Sequence, residues 1–343
     1  MTNYKRKTKK TTSRAATQKA GSTGAYGVSL GVLGVLLALW LIYNTITLTP
    51  FSWGIFAEEI ILSLCAVFAL RLLGMANPAD WVPVACLILL PAGIIIYGAT
   101  AAARSGADFS RFLCLAGTAA SMLLTARQLD AKPDGTLFCA LLFAAALPVL
   151  VSAETMFIEE LMRLLLTAGV LAAVFAVKEK LAWLAFLAAG LFGVSGAAGF
   201  YAAFFGAGAA VGLMLSAPKK DRSAWVFAAV LMAGLPLAAR LFAGERLPQS
   251  AALFAENTLT PGVLAAAVNT HFIRIFAVGL LLLAIRFFAG REDAAAVPLL
   301  ALVGAALFRL LSRASGADAW MDAPTLVCLA GVGIAKFVRP KGR

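Results

Sequence analysis

Three polar side chains interrupt an apolar run in the last third of the chain and could bind a solute. They are Asn269, His271 and Arg274, and they follow Pro261, a residue type favoured in the first turn of a helix. In a helix that starts at Pro261, His271 lies roughly 14 Å and Arg274 roughly 18 Å along the axis. A charged arginine at that depth costs at least about 3 kcal/mol unless it is paired or hydrated. We therefore expect both side chains, which share one helix face, to point into the protein interior.

Carboxylates form a second set of candidate binding residues, and two short motifs place them. Phe-x-Glu opens three apolar runs, and Ser-Gly-Ala-Asp precedes two others. The acids at these positions are Glu58, Glu59, Glu159, Glu160, Glu256, Asp108 and Asp318. A ring of carboxylates at one membrane face would attract a cation, a proton or an amine. Acids in a first helical turn also complement the helix dipole at little cost, and this structural explanation stays open beside the functional one.

Counter-ions for the buried cations come from the same acids. Arg163 lies four and three residues after the two glutamates of the second Phe-x-Glu motif, a spacing that allows an ion pair on one helix face. We predict that His271 and Arg274 line a functional cavity with Glu159 or Glu256 as counter-ion, and that His271 titrates near neutral pH. Two alternatives stay open: Arg274 snorkels to the interface, or the helix begins near Glu256 with an interfacial break from Thr258 to Pro261 that moves His271 and Arg274 toward water.

Metal and cofactor chemistry has little support in the sequence. The chain has a single histidine, which excludes any metal site or mechanism that needs two imidazoles. The five cysteines have no ligand spacing, lie in apolar runs and are typical of small packing residues. They are Cys65, Cys86, Cys114, Cys139 and Cys328. Neither a Walker A motif nor a glycine-rich dinucleotide fingerprint is present, so we expect no cofactor.

One short motif raises the alternative of proteolysis. Gly193-Val194-Ser195-Gly196 resembles the Gly-x-Ser-Gly motif of rhomboid intramembrane proteases. The resemblance covers four residues and implies Ser195 as nucleophile with His271 as its base. It stops there, because Arg274 and Val278 occupy the glycine positions that usually follow the family's histidine. Ser-Gly-Ala also occurs at Ser105 and Ser315, so a structural turn explains Ser195 better, and an enzyme is the less favoured class.

Composition sets the environment in which these side chains act. The 343 residues are 62% hydrophobic and 13% charged, with a mean hydropathy of +0.90. Such a chain has too little polar surface for a soluble globule. Its apolar runs of about 17 to 21 residues each suffice to cross a bilayer as a helix. The sequence therefore predicts an all-α, polytopic membrane protein.

The apolar runs predict about twelve transmembrane helices. They lie at roughly 26–46, 53–73, 81–100, 109–126, 136–152, 157–177, 181–196, 200–216, 223–241, 262–288, 295–311 and 320–338. The least certain division is within 181–216, where Gly193, Gly196 and Gly199 predict a tight hairpin. With both termini cytoplasmic, most of the 29 Lys and Arg residues fall on the cytoplasmic side. This positive-inside pattern explains the net charge of +12 without a nucleic-acid partner.

Recurring motifs predict three parallel repeats of four helices each. Cys-Leu-Ala-Gly follows Ser-Gly-Ala-Asp both at Cys114 and at Cys328, and Val-Pro opens the run before each copy. A weaker copy with Ser195 lies between them. The predicted units are 26–127, 136–218 and 223–339, after a disordered basic cytoplasmic tail at 1–25. An even number of crossings per unit gives all three the same orientation, related by an axis along the membrane normal.

These features together favour a transporter or permease in the bacterial cytoplasmic (inner) membrane that moves a small solute or a lipid-linked molecule. The alternative is a non-transporting scaffold or subunit of a larger membrane complex. Expected partners are the lipid bilayer, anionic lipid at the basic tail, and a partner membrane subunit or an energising subunit. The sequence gives no substrate and no coupling ion.

Overall fold

A computed structural model of the protein describes residues 79–152, 157–196, 199–218, 222–242, 293–311 and 321–338. This part of the chain contains nine α-helices, one short 3-10 helix (Asp293–Ala295) and no strand. The helices are α1 (Val82–Ser105), α2 (Phe109–Leu129), α3 (Pro133–Ser152), α4 (Phe157–Glu179), α5 (Ala182–Ser195), α6 (Phe200–Ser216), α7 (Arg222–Phe242), α8 (Ala296–Leu311) and α9 (Ala323–Val338).

Length and hydropathy agree with the membrane assignment. Helices α1, α2, α4 and α7 are long and apolar enough to cross a bilayer, and the other five are shorter apolar helices. Each of the nine lies at one of the positions where the apolar runs predict a helix. The described part is thus all-α, with four candidate membrane-spanning helices. The predicted helices at 26–46, 53–73 and 262–288 lie outside the described residues.

Local sequence explains where the helices end near the first Ser-Gly-Ala-Asp motif. Gly106 ends α1 in the left-handed region, at φ 66°, which glycine adopts without steric cost. Two residues later Asp108 caps α2, since its carboxylate accepts a hydrogen bond from the Ser110 backbone N–H at 3.0 Å. The motif is therefore a tight connection between two helices.

Helix α4 lies at the centre of the described bundle and connects two groups of helices. On one side it packs against α2, which belongs to a group with α1, α3 and α9. On the other side it packs against α5, which belongs to a group with α6, α7 and α8. Smaller contacts join α4 to α6, α8 and α9. The residues of α4 are accordingly buried on several faces rather than along one stripe.

Side-chain contacts fix the relative directions of the first helices. A Cβ on Gly117 of α2 would contact Leu164 of α4, and Cys114 lies within electrostatic range of Glu160. Residue numbers therefore rise in the same direction along the two helices, so α2 and α4 are parallel. Helix α3 lies between them in the chain. A Cβ on Gly98 of α1 would meet Phe112 of α2, as expected where two consecutive helices run antiparallel.

The second group shows the same alternation. Helices α5 and α7 are parallel, because Phe186 stacks near Phe227 and Gly196 packs against Pro236. Helices α6 and α8 are antiparallel, because Gly212 approaches Ala296 while Phe204 approaches Gly304. We call the end of the bundle that contains Asp108 the Asp108 end. Helices α2, α4 and α6 start there, and helices α1, α5, α7 and α8 end there. The opposite end, with Lys180 and the start of α8, is the Lys180 end.

The division of the apolar stretch 181–216 falls where the glycines predict it, between α5 and α6. The tight hairpin itself is replaced by a different packing. Helices α5 and α6 make few contacts with each other: α5 packs against α7 and α4, and α6 packs against α8 and α7. A Cβ on Gly196 would overlap the backbone of Pro236 in α7, so the glycine lets the connection pass close to that helix.

The two copies of Cys-Leu-Ala-Gly lie in helices that contact each other. Both copies are largely buried, one in α2 and one in α9, and α9 packs against α3 and α2. The Cys139 thiol of α3 donates a hydrogen bond to the Cys328 backbone carbonyl, with Sγ and O 3.2 Å apart. The helices before these copies differ, since α1 packs extensively on α2 whereas α8 touches α9 only slightly.

Candidate functional site

A buried ion pair on α4 is the main polar feature of the described core. Arg163 Nη1 donates to Glu160 Oε1 over 2.6 Å, three residues apart on the helix. The Arg163 side chain is 0% exposed and that of Glu160 is 1% exposed. Of the two glutamates at ion-pair spacing, Glu160 is the one that bonds to Arg163 within the described residues, and Glu159 is half-buried beside it.

The position of Arg163 around α4 places it between the two helix groups. At 100° per residue, Arg163 lies roughly 100° from Leu164, which faces α2, and roughly 120° from Gly169, which faces Phe192 of α5. The guanidinium thus points at neither of these partners directly. Thr167 lies one turn further along the same face and its hydroxyl donates to the Arg163 backbone carbonyl at 2.8 Å, which satisfies that hydroxyl locally.

Hydrogen bonding of the Arg163 guanidinium is incomplete. Arginine stays protonated in proteins and carries five N–H donors. Among the described residues no acceptor contacts Nε or Nη2, although both atoms are buried. Taking a charge out of water without full pairing costs several kcal/mol. Within the described part of the chain, burial therefore leaves two guanidinium donors without the hydrogen bonds that would offset their lost hydration.

Asp108 has a structural role at the start of α2. It is exposed, and it accepts hydrogen bonds from the Ser110 hydroxyl at 2.6 Å and from the Ser110 N–H. These bonds favour the charged form and hold the pKa of the Asp108 carboxyl below its ordinary value, with a smaller contribution from Arg111. The contacts explain the acid as a helix cap, and its role in binding stays a prediction.

Most of the predicted site residues lie outside the described part of the chain. They are Asn269, His271, Arg274, Glu58, Glu59, Glu256 and Asp318. The cavity beside His271 and Arg274 and the full carboxylate ring therefore remain predictions. The structure does bring two of the predicted motifs to one end of the bundle, because Asp108 and the Phe157 start of α4 both lie at the Asp108 end.

Ser195 occupies a helix end rather than an open site. Its side chain is buried, and its hydroxyl donates to the Phe192 carbonyl of the same helix at 2.7 Å. That hydrogen bond stabilises the last turn of α5. His271, the proposed base of the protease alternative, lies outside the described residues.

Sequence reasoning missed two features of this region. The burial of the pair was not predicted, because ion-pair spacing by itself does not show which helix face lies inside. The close approach of α6 to α8 through Gly208, Gly212 and Gly304 was also missed. The signal was present, since Gly208 and Gly212 form a Gly-x-x-x-Gly pattern.

Comparisons with protein-family models, with curated proteins and with solved structures found no match. Within the described residues, no group of three or more His, Cys, Asp or Glu side chains could hold a metal ion.

Proposed function

We propose that the protein is a transporter or permease of the bacterial cytoplasmic membrane that moves a small solute or a lipid-linked molecule. The observation that carries this proposal is the fully buried Glu160–Arg163 pair on the helix between the two helix groups. Polar and ionisable residues inside membrane helices are costly and mark substrate or ion pathways. Their place between two groups of helices also suits transport by rocking of one group against the other.

Energetics separate this proposal from a purely structural role. Replacing a buried ion pair by well-packed apolar residues is often neutral or stabilising. A solid scaffold would therefore lose nothing, and often gain stability, with apolar residues in place of Glu160 and Arg163. Retention of the pair, with guanidinium donors left over, supports a function in which a polar partner enters or leaves the site.

The proposed architecture completes the described helices with three more crossings. Twelve helices form three parallel units, at 26–127, 136–218 and 223–339. Support comes from the described directions, since α7 ends and α8 starts at opposite ends of the bundle. Residues 243–292 must connect these ends, which requires an odd number of crossings and fits one helix at 262–288. In this proposal His271 and Arg274 of that helix join Arg163 in lining the pathway.

Orientation follows from the distribution of Lys and Arg near the helix ends. In α1 to α7 and their described connections, Arg127, Lys132, Lys178, Lys180 and Arg222 lie at the Lys180 end of the bundle, whereas Arg104, Arg111 and Arg240 lie at the Asp108 end. The positive-inside rule then makes the Lys180 end cytoplasmic and the Asp108 end external. Both chain termini are cytoplasmic in the proposed topology.

A non-transporting scaffold or subunit is the second candidate, and α1 favours it. Ile88, Leu89 and Ile96 are each more than half exposed in the described structure. An apolar face of this kind packs against lipid or against a partner membrane subunit. The basic tail at 1–25 would then recruit anionic lipid or a partner, and no nucleic acid is involved.

The test is a comparison of solutes in a strain that lacks the gene and in the same strain carrying the gene on a plasmid. Profiling cells and medium should reveal a solute that is distributed differently when the gene is absent. A Glu160→Leu, Arg163→Met double variant should insert normally and fail to restore that distribution, whereas Arg104→Lys, at an exposed position, should restore it. Full restoration by the double variant would contradict transport through this site and support the scaffold.

A further inference from the structure

We infer that Arg163 binds the carboxylate group of a monovalent organic anion. The inference rests on the transporter proposal, because it names the chemical class of the solute at that site. It starts from the one guanidinium that is fully buried in the described core and has unused donors.

The unused donors have a defined geometry. Nη1 bonds to Glu160, which leaves Nε and Nη2. These two nitrogens lie along one edge of the planar guanidinium, and one N–H bond of each points the same way. Such a pair of parallel donors matches the two oxygens of a carboxylate or a phosphate in a bidentate contact. A single neutral acceptor would satisfy only one of them.

Charge and burial select a monovalent carboxylate over phosphate. Glu160 already neutralises Arg163, so the pair has no net charge to attract a dianion. The desolvation cost of an ion rises steeply with its charge, and the site is closed to solvent. A planar anion with one charge and an apolar body therefore fits best. Its apolar part would pack against the apolar side chains of the surrounding helices.

Described acids at the Asp108 end already have defined contacts. Asp108 is exposed and bonds to Ser110, while Glu160 holds Nη1. Glu159 is half-buried beside Glu160. The remaining acids predicted for this membrane face, Glu58, Glu59, Glu256 and Asp318, lie outside the described residues. The alternative is that an acid of this chain itself binds the Nε and Nη2 donors of Arg163. The experiment must distinguish this from binding of a solute.

The experiment measures thermal unfolding of the full-length protein in detergent. Benzoate and butyrate are compared with benzamide and butyramide, which have the same shape without the charge, and with chloride and phosphate at equal ionic strength. Ligands that bind only the folded state raise the unfolding temperature, and the rise grows with ligand concentration. We expect a saturable rise with the carboxylates that exceeds the rise with the amides, chloride and phosphate.

Substitutions test whether the parallel donors of Arg163 cause the rise in unfolding temperature. Arg163→Lys keeps the charge but removes the parallel donors, so the carboxylate response should be lost. Arg104→Lys, an exposed arginine at the same end of the bundle, should keep it. If Arg163→Lys does not fold, the comparison of carboxylates with amides on the unmodified protein still decides.

Three results would overturn the inference. They are an equal shift with the amides, a larger shift with phosphate, and a carboxylate response that appears only after Glu58, Glu59, Glu256 or Asp318 is neutralised. The last result would show that this acid of the chain itself binds Nε and Nη2 of Arg163. Flux in proteoliposomes is measured separately. Binding of benzoate without any flux of a carboxylate would keep the site and contradict the transporter.

Discussion

At the residue scale, the protein accepts an energetic cost at Arg163 and Glu160. Both side chains are almost completely buried, and one hydrogen bond of 2.6 Å joins them. In a low-dielectric interior such a pair gains strong attraction but loses hydration, and the attraction often does not fully offset that loss. Removing one partner lowers the stability further, because the other charge then remains buried and unpaired.

We expect Arg163→Gln to lower the free energy of unfolding by about 3 to 5 kcal/mol, with a similar loss for Glu160→Gln. The Glu160→Leu, Arg163→Met double variant should recover most of that loss. Unfolding in mixed detergent measures all three. Glu159→Gln, at a half-buried neighbouring position, serves as control and should change stability by less than about 1 kcal/mol. Equal losses in the single and double variants would show that packing, rather than charge pairing, matters here.

Asp108 allows a prediction about pH at the same scale. Its pKa is lowered in the folded protein because the Ser110 hydroxyl bonds to the charged carboxylate. The stabilisation is therefore complete above the ordinary value of 3.8 and is lost as the pH falls through the lower folded pKa. At pH 7 Asp108→Ala should unfold at a lower temperature than the unmodified protein, and Asp108→Asn, which still caps the helix, should not. The difference for Asp108→Ala should shrink as the pH falls below the ordinary carboxyl pKa of 3.8. A difference that stays constant with pH would contradict the charged cap.

At the element scale, small residues set how closely the helices approach. A Cβ on Gly212 of α6 would lie 2.5 Å from the Ala296 carbonyl oxygen of α8, and Gly208 and Gly304 are similarly enclosed by backbone. Without a hydrophobic drive between helices in lipid, such close backbone contact is a principal source of association. Close backbone packing therefore holds α6 and α8 together, and the interface has no space for an added methyl group.

Gly212→Ala should destabilise the protein by about 1 to 3 kcal/mol, because the backbone atoms opposite cannot move aside like a flexible side chain. Gly190→Ala is the matched control, since nothing lies within 4 Å of its added Cβ. That control should be neutral or stabilising by up to about 1 kcal/mol, because alanine favours helix. The measurement is unfolding in detergent for both variants. Similar effects at the two positions would mean that α6 and α8 do not pack as described.

Much of the helix content could be predicted from sequence, because apolar runs, the Asp108 cap and Gly106 carry local signals. The sequence does not predict which helices pack against each other. Insertion of α7 between α5 and α6 depends on contacts such as Gly196 with Pro236, which are distant in sequence. The same reason applies to the site, where the spacing of Glu160 and Arg163 indicates an ion pair but only the surrounding helices bury it.

At the scale of the whole molecule, helix directions constrain the topology more strongly than hydropathy does. Two contacts for each helix pair establish them: Gly117 with Leu164 and Cys114 with Glu160, Gly196 with Pro236 and Phe186 with Phe227, and Gly212 with Ala296 and Phe204 with Gly304. They place the end of α7 and the start of α8 at opposite ends of the bundle. The proposed topology accordingly places one crossing between α7 and α8.

Single cysteines in a cysteine-free protein test this topology in intact cells. Phe242→Cys, at the exposed end of α7, should react with a membrane-impermeant thiol reagent from outside. Asp293→Cys, at the start of the 3-10 helix before α8, should react only after the cells are opened. Ser105→Cys and Lys132→Cys give the matching pair for the first helices, external and cytoplasmic in turn. If positions 242 and 293 reacted from the same side, residues 243–292 would cross an even number of times, and the twelve-helix topology would be wrong. The described direction of α8 relative to α6 would then also fail, because that direction requires the odd crossing.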